Sequence, residues 1–183
     1  MDKNLERISK LYRLRNYIRY NNRNRITNED VLQHTAVVAL YSLIFSEKFE
    51  CDREKLLKIA LVHDLGELFT GEIPRNVKIS QAKIADLFAQ LEITSLNQFI
   101  PTYGNYVKEY EKQISIESKI VKLADIASAI VYCNHEAKLG NCLMKELFKK
   151  TVKRYIDASA KLGIKVTEAE ILEIFAKEYK DEI

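Results

Sequence analysis

The sequence predicts an all-α fold, a helical bundle forming one domain over residues 1–183, and three observations predict it. Only five Gly and two Pro occur in 183 residues, too few for a chain built of tight turns and long loops. Apolar side chains recur at intervals of three and four through most of the chain, the period of helices that bury one face. Residues that cap helix starts stand just before these periodic runs: Asn28, Asp52, and Thr167 with Glu170. The length suffices for a substantial core, and no repeat, low-complexity segment or linker divides it.

Leu5, Ile8, Leu11, Tyr12 and Ile18 predict a first amphipathic helix, with Arg and Lys between them. Tyr20 to Asn28, YNNRNRITN, is polar and Asn-rich and reads as a loop. A second helix is expected from an Asn28 cap, with Glu29 and Asp30 in its first turn, where the helix dipole favours anions. Val31, His34, Thr35, Val38, Ser42 and Phe45 line its inner stripe. Asp52 caps a third helix that leads through Leu56, Ile59 and Ala60 to His63 and Asp64, with Gly66 ending or loosening it. Ser80 to Phe99 is periodic again, and Pro101 begins a connection. Ile114 to Leu139 is the longest patterned helix, with Ile116, Ile120, Leu123, Ala127, Ile130 and Val131 as its stripe and Asp125 inside it. Gly140 and Asn141 end it. A helix from Cys142 to about Lys161 and a last one carrying Ile171, Leu172, Ile174 and Tyr179 complete the chain.

Composition narrows the function classes. Lys and Arg total 29 against 26 Asp and Glu, a net charge of +3 spread along the chain, which argues against a nucleic acid polymer as partner. Three cysteines, Cys51, Cys133 and Cys142, show no metal-binding spacing and are odd in number, as expected of a reducing cytoplasm. The first residues, MDKNLERISK, lack an apolar signal core. No run approaches the roughly 18 apolar residues of a membrane span. A soluble cytoplasmic protein is the expectation.

The chemistry centres on Leu61 to Pro74, LVHDLGELFTGEIP. His63 beside Asp64 at the end of an apolar helix mixes imidazole and carboxylate, a ligand set for a borderline divalent ion. Two ligands hold a metal poorly, so partners are needed, and His34 and Asp125 on other core helices supply them. Two imidazoles and two carboxylates leave open positions on an octahedral ion, and one Mn, Co, Fe or Zn ion per chain would accept the set. Structural zinc would instead call for cysteine pairs. A metal in such a site activates water near neutral pH, so hydrolysis follows. Taken singly the residues have plainer explanations: His34 as a core histidine, Asp125 paired with Lys122 one turn earlier.

A His on an early helix, a His-Asp pair and a late helical Asp resemble the HD-domain metal-dependent phosphohydrolases. Three stretches resemble more narrowly the bacterial 5′-deoxynucleotidases of that superfamily. These are Arg19-Tyr20 through Glu29-Asp30-Val31-Leu32-Gln33-His34; His63-Asp64-Leu65-Gly66-Glu67 through Thr70-Gly71-Glu72-Ile73-Pro74 to Val77-Lys78; and Val121-Lys122-Leu123-Ala124-Asp125, with the later Gly140-Asn141. The resemblance spans about residues 5 to 145. It implies an HD-domain-like bundle, commonly a homodimer, that removes phosphate from deoxyribonucleoside 5′-monophosphates. It also implies His34, His63, Asp64 and Asp125 as metal ligands, Glu67 as catalytic acid, and Arg19 as the phosphate-binding arginine. Tyr20 stands where the family usually has a Trp against the nucleoside, and Glu72 where it has an Asp contacting the sugar; Lys78 is expected at the substrate. These two departures bear on selectivity against ribose.

Two alternatives keep or discard the chemistry. A deoxynucleoside triphosphate triphosphohydrolase would use the same site with Arg23, Arg25, Arg75 and Lys78 as further cations. A metal-containing nucleotide-binding module would lack catalysis. Alarmone hydrolysis fits less well, because Leu68 stands where that branch has an Asp after the Glu.

Overall fold

Helices follow the apolar periodicity in the computed structural model, which describes residues 3–74 and 80–177. In chain order they are α1 (Lys3–Leu11), α2 (Val31–Ser46), α3 (Arg53–Val62), α4 (Glu67–Thr70), α5 (Ala82–Phe99), α6 (Tyr103–Lys112), α7 (Ile116–Lys138), α8 (Cys142–Ala160) and α9 (Glu168–Lys177). Among the described residues there is no strand, only one antiparallel bridge between Ile18 and Asp30. Arg75, Lys78 and Tyr179 lie outside the described residues. No described helix is long and apolar enough to cross a membrane.

α7 is the axis. It packs against α2, α3, α6 and α8, and its Ile120, Val121, Leu123, Ala124 and Ile130 are buried. Val38 and Ala39 of α2 meet Leu56, Ile59 and Ala60 of α3 and Tyr110 of α6 on that axis. A second cluster, Leu14, Val31, Val62, Leu65, Leu68, Leu96, Phe99 and Val107, lies under α4. Between the two clusters runs the seam where α2, the end of α3 and α7 meet.

The boundaries differ from expectation in three places. The first helix stops at Leu11 and tightens into a 3-10 turn, Tyr12–Asn16, which drops Leu14 into the core while Leu5 and Ile8 stay exposed. The chain then runs extended. Arg19 N donates to Glu29 O at 2.9 Å and Val31 N to Tyr17 O at 3.0 Å, so Ile18 belongs to this pairing and not to a helix.

The cap of α2 is Asp30 rather than Asn28. Asp30 accepts from Gln33 N at 2.8 Å, and Gln33 Oε1 accepts from Asp30 N at 3.1 Å, a reciprocal box that outcompetes a lone Asn. Glu29 is thereby left outside the helix. Finally, α6 occupies a stretch read as connection. Pro101 signalled a connection, but the helix begins two residues later and α5 approaches it closely at Gly104, where a Cβ would meet Asn97 Oδ1 at 2.5 Å.

The other caps match their residues. Asp52 accepts from Lys55 N at 3.0 Å, and Thr167 with Glu170 forms the expected box before α9. Ser115 and Ser118 make a further one at α7.

Candidate active site

Each of the three helices at the seam delivers one part of the site. His34 sits one turn into α2, fully buried because Val31, Thr35 and Val38 turn the same face inward. α3 ends at Val62, and His63 forms its C-cap, so the turn that follows presents His63 and Asp64 together. Asp125 enters from the middle of α7.

The side chains gather about the two imidazole Nε2 atoms. His34 Nε2 lies 3.3 Å from His63 Nε2, 3.5 Å from Asp64 Oδ2 and 3.4 Å from Asp125 Oδ1, and His63 Nε2 lies 3.3 Å from Asp64 Oδ2. His34, His63 and Asp125 each place a donor atom within 4.8 Å of the others, a group that could hold a metal ion.

The far side of each group sets its orientation. His63 Nδ1 donates to Ala60 O at 2.7 Å, and a carbonyl only accepts, so the lone pair of a neutral His63 faces the cluster from Nε2. His34 Nδ1 pairs with Ser128 Oγ at 2.9 Å, leaving its Nε2 likewise directed inward. Asp125 Oδ2 accepts from Tyr110 OH at 2.7 Å and from Lys122 Nζ at 3.0 Å, which turns Oδ1 toward His34. Acceptors that meet in a buried site need a cation or a shared proton between them, and two imidazoles with a carboxylate are a donor set that fits a divalent metal.

The electrostatics separate the two imidazoles. Burial, joined by Arg19, pushes His34 down to about 4 and so keeps it neutral. Burial also opposes charge on His63, but Asp64 and Asp125 outweigh it and raise this imidazole. Burial would raise Asp64, yet His63, His34 and Arg19 hold it far below the carboxylate range. For Asp125, Lys122 and His34 overcome burial in the same way.

Arg19 approaches from the extended segment before α2. Its Nη1 donates to Asp64 Oδ2 at 3.1 Å and its Nε to Glu29 Oε2 at 3.0 Å. Burial opposes its charge, but Asp64 and Glu29 are among the groups that keep it protonated. Glu67 is buried as the first residue of α4, three residues beyond Asp64. Tyr20 has a left-handed backbone, φ 56°, and its ring stacks on Tyr132 with centroids 4.6 Å apart, beside Cys133 and Met144. Glu72 holds a buried Oε2 with no hydrogen-bond partner among the described residues. Arg25 is committed to the loop itself, donating to Asn28 Oδ1 at 2.7 Å and to Tyr20 O at 3.3 Å.

Sequence reasoning missed Tyr110, Ser128 and Glu29 as partners of the site. Ser128 was within reach of it, because it follows Asp125 by three residues and shares its face of α7. Tyr110 was hidden in a helix read as a connection, and Glu29 was assigned to a helix turn. Lys122 does pair with Asp125, and the plain explanation coexists with the cluster, since each claims a different oxygen.

Among solved structures, an HD-domain phosphohydrolase from Listeria innocua superposes with TM-score 0.75, at 24% identity over 96% of this chain and 90% of that one. A cyanophage S-2L HD phosphohydrolase bound to dA and one catalytic Zn²⁺ superposes with TM-score 0.62, at 18% identity over 94% of both chains. A 5′-deoxynucleotidase from Erwinia tasmaniensis is 28% identical in an alignment 130 residues long that covers 63% of this chain and 65% of that protein, so the chain matches just under two thirds of that relative's length. The family model of YfbR-like 5′-deoxynucleotidases matches residues 7–181. By that match over nearly its whole length, the chain belongs to the YfbR-like 5′-deoxynucleotidase family, a family of phosphohydrolases.

Proposed function

We propose that this protein removes phosphate from deoxyribonucleoside 5′-monophosphates with one divalent transition metal (Mn, Co, Fe or Zn) held by His34, His63, Asp64 and Asp125. The observation that carries the reading is that His63 Nε2, Asp64 Oδ2 and Asp125 Oδ1 all lie within 3.5 Å of the buried His34 Nε2. When bound, the cation supplies Lewis-acid polarisation of the phosphoryl group and an acidified water.

The remaining work belongs to the protein. Arg19 already gives Nε to Glu29 and Nη1 to Asp64, which sets the plane of the guanidinium in advance and leaves Nη2 to meet a phosphate oxygen. Glu67, buried one turn past Asp64, holds the proton that the attacking water gives up or that the departing 5′ oxygen takes. The buried Glu72 Oε2 is suited to accept from a sugar hydroxyl. Tyr20, packed on Tyr132, walls the nucleoside side beside Arg19, and Lys78, outside the described residues, is a further candidate for the substrate. The three cysteines are free thiols, in keeping with a cytoplasmic site of action. The exposed apolar side chains Leu40, Ile44 and Ile174 give a second copy a surface to cover in a homodimer.

Chelated protein, resupplied with Mn²⁺ or Co²⁺ and offered deoxyribo- and ribonucleotides, tests the reading by phosphate release. Phosphate from deoxyribonucleoside monophosphates, lost in Glu67→Gln by about 10²–10⁴-fold, supports it. Triphosphate released from a deoxynucleoside triphosphate would assign the alternative substrate. No release from any monophosphate overturns the proposal.

A further inference from the structure

Glu136 is a carboxylate that the proposed chemistry does not use, and it is completely buried near the end of α7. Its partners are hydrogen-bond donors of the polar loop. Oε2 accepts from Ile26 N at 2.8 Å, and Oε1 accepts from Thr27 N and Thr27 Oγ1, both at 2.6 Å. Asn141 Nδ2 donates to Oε2 at 2.7 Å and also to Asn24 O at 3.0 Å. One turn earlier on the same face, Tyr132 OH donates to Thr27 O at 2.9 Å, and its ring carries Tyr20. Two turns earlier, Ser128 holds His34. One face of α7 therefore fixes both an imidazole of the metal cluster and the loop whose stems carry Arg19 and Glu29.

We propose that Glu136 is a positioning residue for substrate phosphate: its buried carboxylate draws the loop of residues 20–28 onto α7 and so sets where Arg19 presents its guanidinium. The inference rests on the reading of Arg19 as the phosphate contact. The coupling is short. Thr27 is two residues from Glu29, whose carboxylate takes Arg19 Nε and whose backbone pairs with Arg19 N. Only a charged carboxylate can accept all four donors at once. An amide at this position offers one acceptor oxygen and turns an NH₂ toward N–H groups, so the loop would shift while the metal cluster, held from α2, α3 and α7, would not.

The experiment compares wild type, Glu136→Gln, Glu136→Asp, Thr27→Val and Arg19→Ala. The readouts are inhibition by inorganic phosphate, KM and kcat for a deoxyribonucleoside monophosphate, and Mn²⁺ affinity. Expected for Glu136→Gln is phosphate affinity lower and KM higher by about tenfold, the scale of one charge-assisted contact. Mn²⁺ affinity should change by less than phosphate affinity, because the cluster feels the loop only through the Arg19 contact with Asp64. Thr27→Val should move the same quantities less, and Glu136→Asp should recover part of the loss. If Arg19→Ala weakens phosphate while Glu136→Gln and Thr27→Val leave it unchanged, the positioning role is overturned and the reading of Arg19 stands. Loss of Mn²⁺ affinity and thermal stability together, without a KM effect in the milder Thr27→Val, would make Glu136 structural and also overturn it. If Arg19→Ala leaves phosphate affinity intact, the reading of Arg19 falls and takes the inference with it.

Discussion

Asp125 carries a carboxylate into an apolar helix at the cost of desolvation, and its two oxygens divide the tasks that make this tolerable. Oδ2 takes Tyr110 OH and Lys122 Nζ, while Oδ1 faces His34 Nε2 at 3.4 Å. Outer partners of this kind orient a ligand and tune its basicity, and removing one typically costs 10–100-fold in metal affinity. Tyr110→Phe should therefore weaken Mn²⁺ binding by about tenfold or more, measured by calorimetric titration, with the helical content intact. An unchanged affinity would show that Lys122 alone orients Asp125. At this scale the ligand candidates His34, His63, Asp64 and Asp125 were legible because polar groups on buried stripes demand a reason. Tyr110 and Ser128 were not, since a Tyr and a Ser in a helix need no explanation until the distances are known.

Between elements, the decisive contacts are caps, close approaches and the loop clamp. Gly66 precedes α4 in ordinary helical conformation, φ −59°, so its lack of a side chain serves packing rather than backbone freedom. A Cβ there would lie 2.6 Å from Glu92 Cβ and 2.9 Å from its Cγ, and Glu92 is tied to Thr70 Oγ1 at 2.8 Å. Gly66→Ala should thus push α5 off α4, destabilising the protein by about 1–3 kcal/mol in denaturant unfolding. A change below about 0.5 kcal/mol would mean that α5 yields freely.

The clamp at Glu136 makes a pH prediction. Burial alone would raise this carboxyl, but the Thr27, Ile26 and Asn141 donors outweigh it and lower it from 4.5 to about 2. A pKa depressed in the folded state contributes stability that is present above the unfolded value and is lost as pH falls through the folded one. Wild type should therefore melt higher than Glu136→Gln at neutral pH, with the gap closing between pH 4.5 and about 2. A gap independent of pH would show that the carboxylate charge is not what holds the loop. Sequence reading found most helices and missed α6, because Pro101 is read locally as the start of a connection while the close approach of α5 at Gly104 is a tertiary fact. It placed the start of α2 two residues early for a similar reason: the choice between Asn28 and Asp30 depends on the extended pairing of residues 17–19 with 29–31.

On the scale of the whole molecule, α7 ties the fold to the chemistry, because the residues that bury its apolar face also set the angle at which Asp125, Ser128, Tyr132 and Glu136 leave it. We propose that residues 1–183 fold as one unit, so that thermal unfolding follows a single transition. A metal that joins α2, the end of α3 and α7 binds only the folded chain. At about 100 times its dissociation constant it should add about 2.7 kcal/mol, a rise of roughly 5–10 °C for a chain of this length. Chelation should remove that rise, and a melting curve indifferent to Mn²⁺ and chelator would contradict it.

The most direct measurement of the central claim is anomalous X-ray scattering from crystals grown with Mn²⁺ or Zn²⁺, recorded at the absorption edge of the metal. The account predicts one strong peak per chain between the two Nε2 atoms of His34 and His63 and the inward oxygens of Asp64 and Asp125, at about 2.0–2.2 Å from each if the ion is zinc. A fully metal-loaded crystal whose anomalous peak lies elsewhere, with those four side chains bonded only to one another, would contradict it.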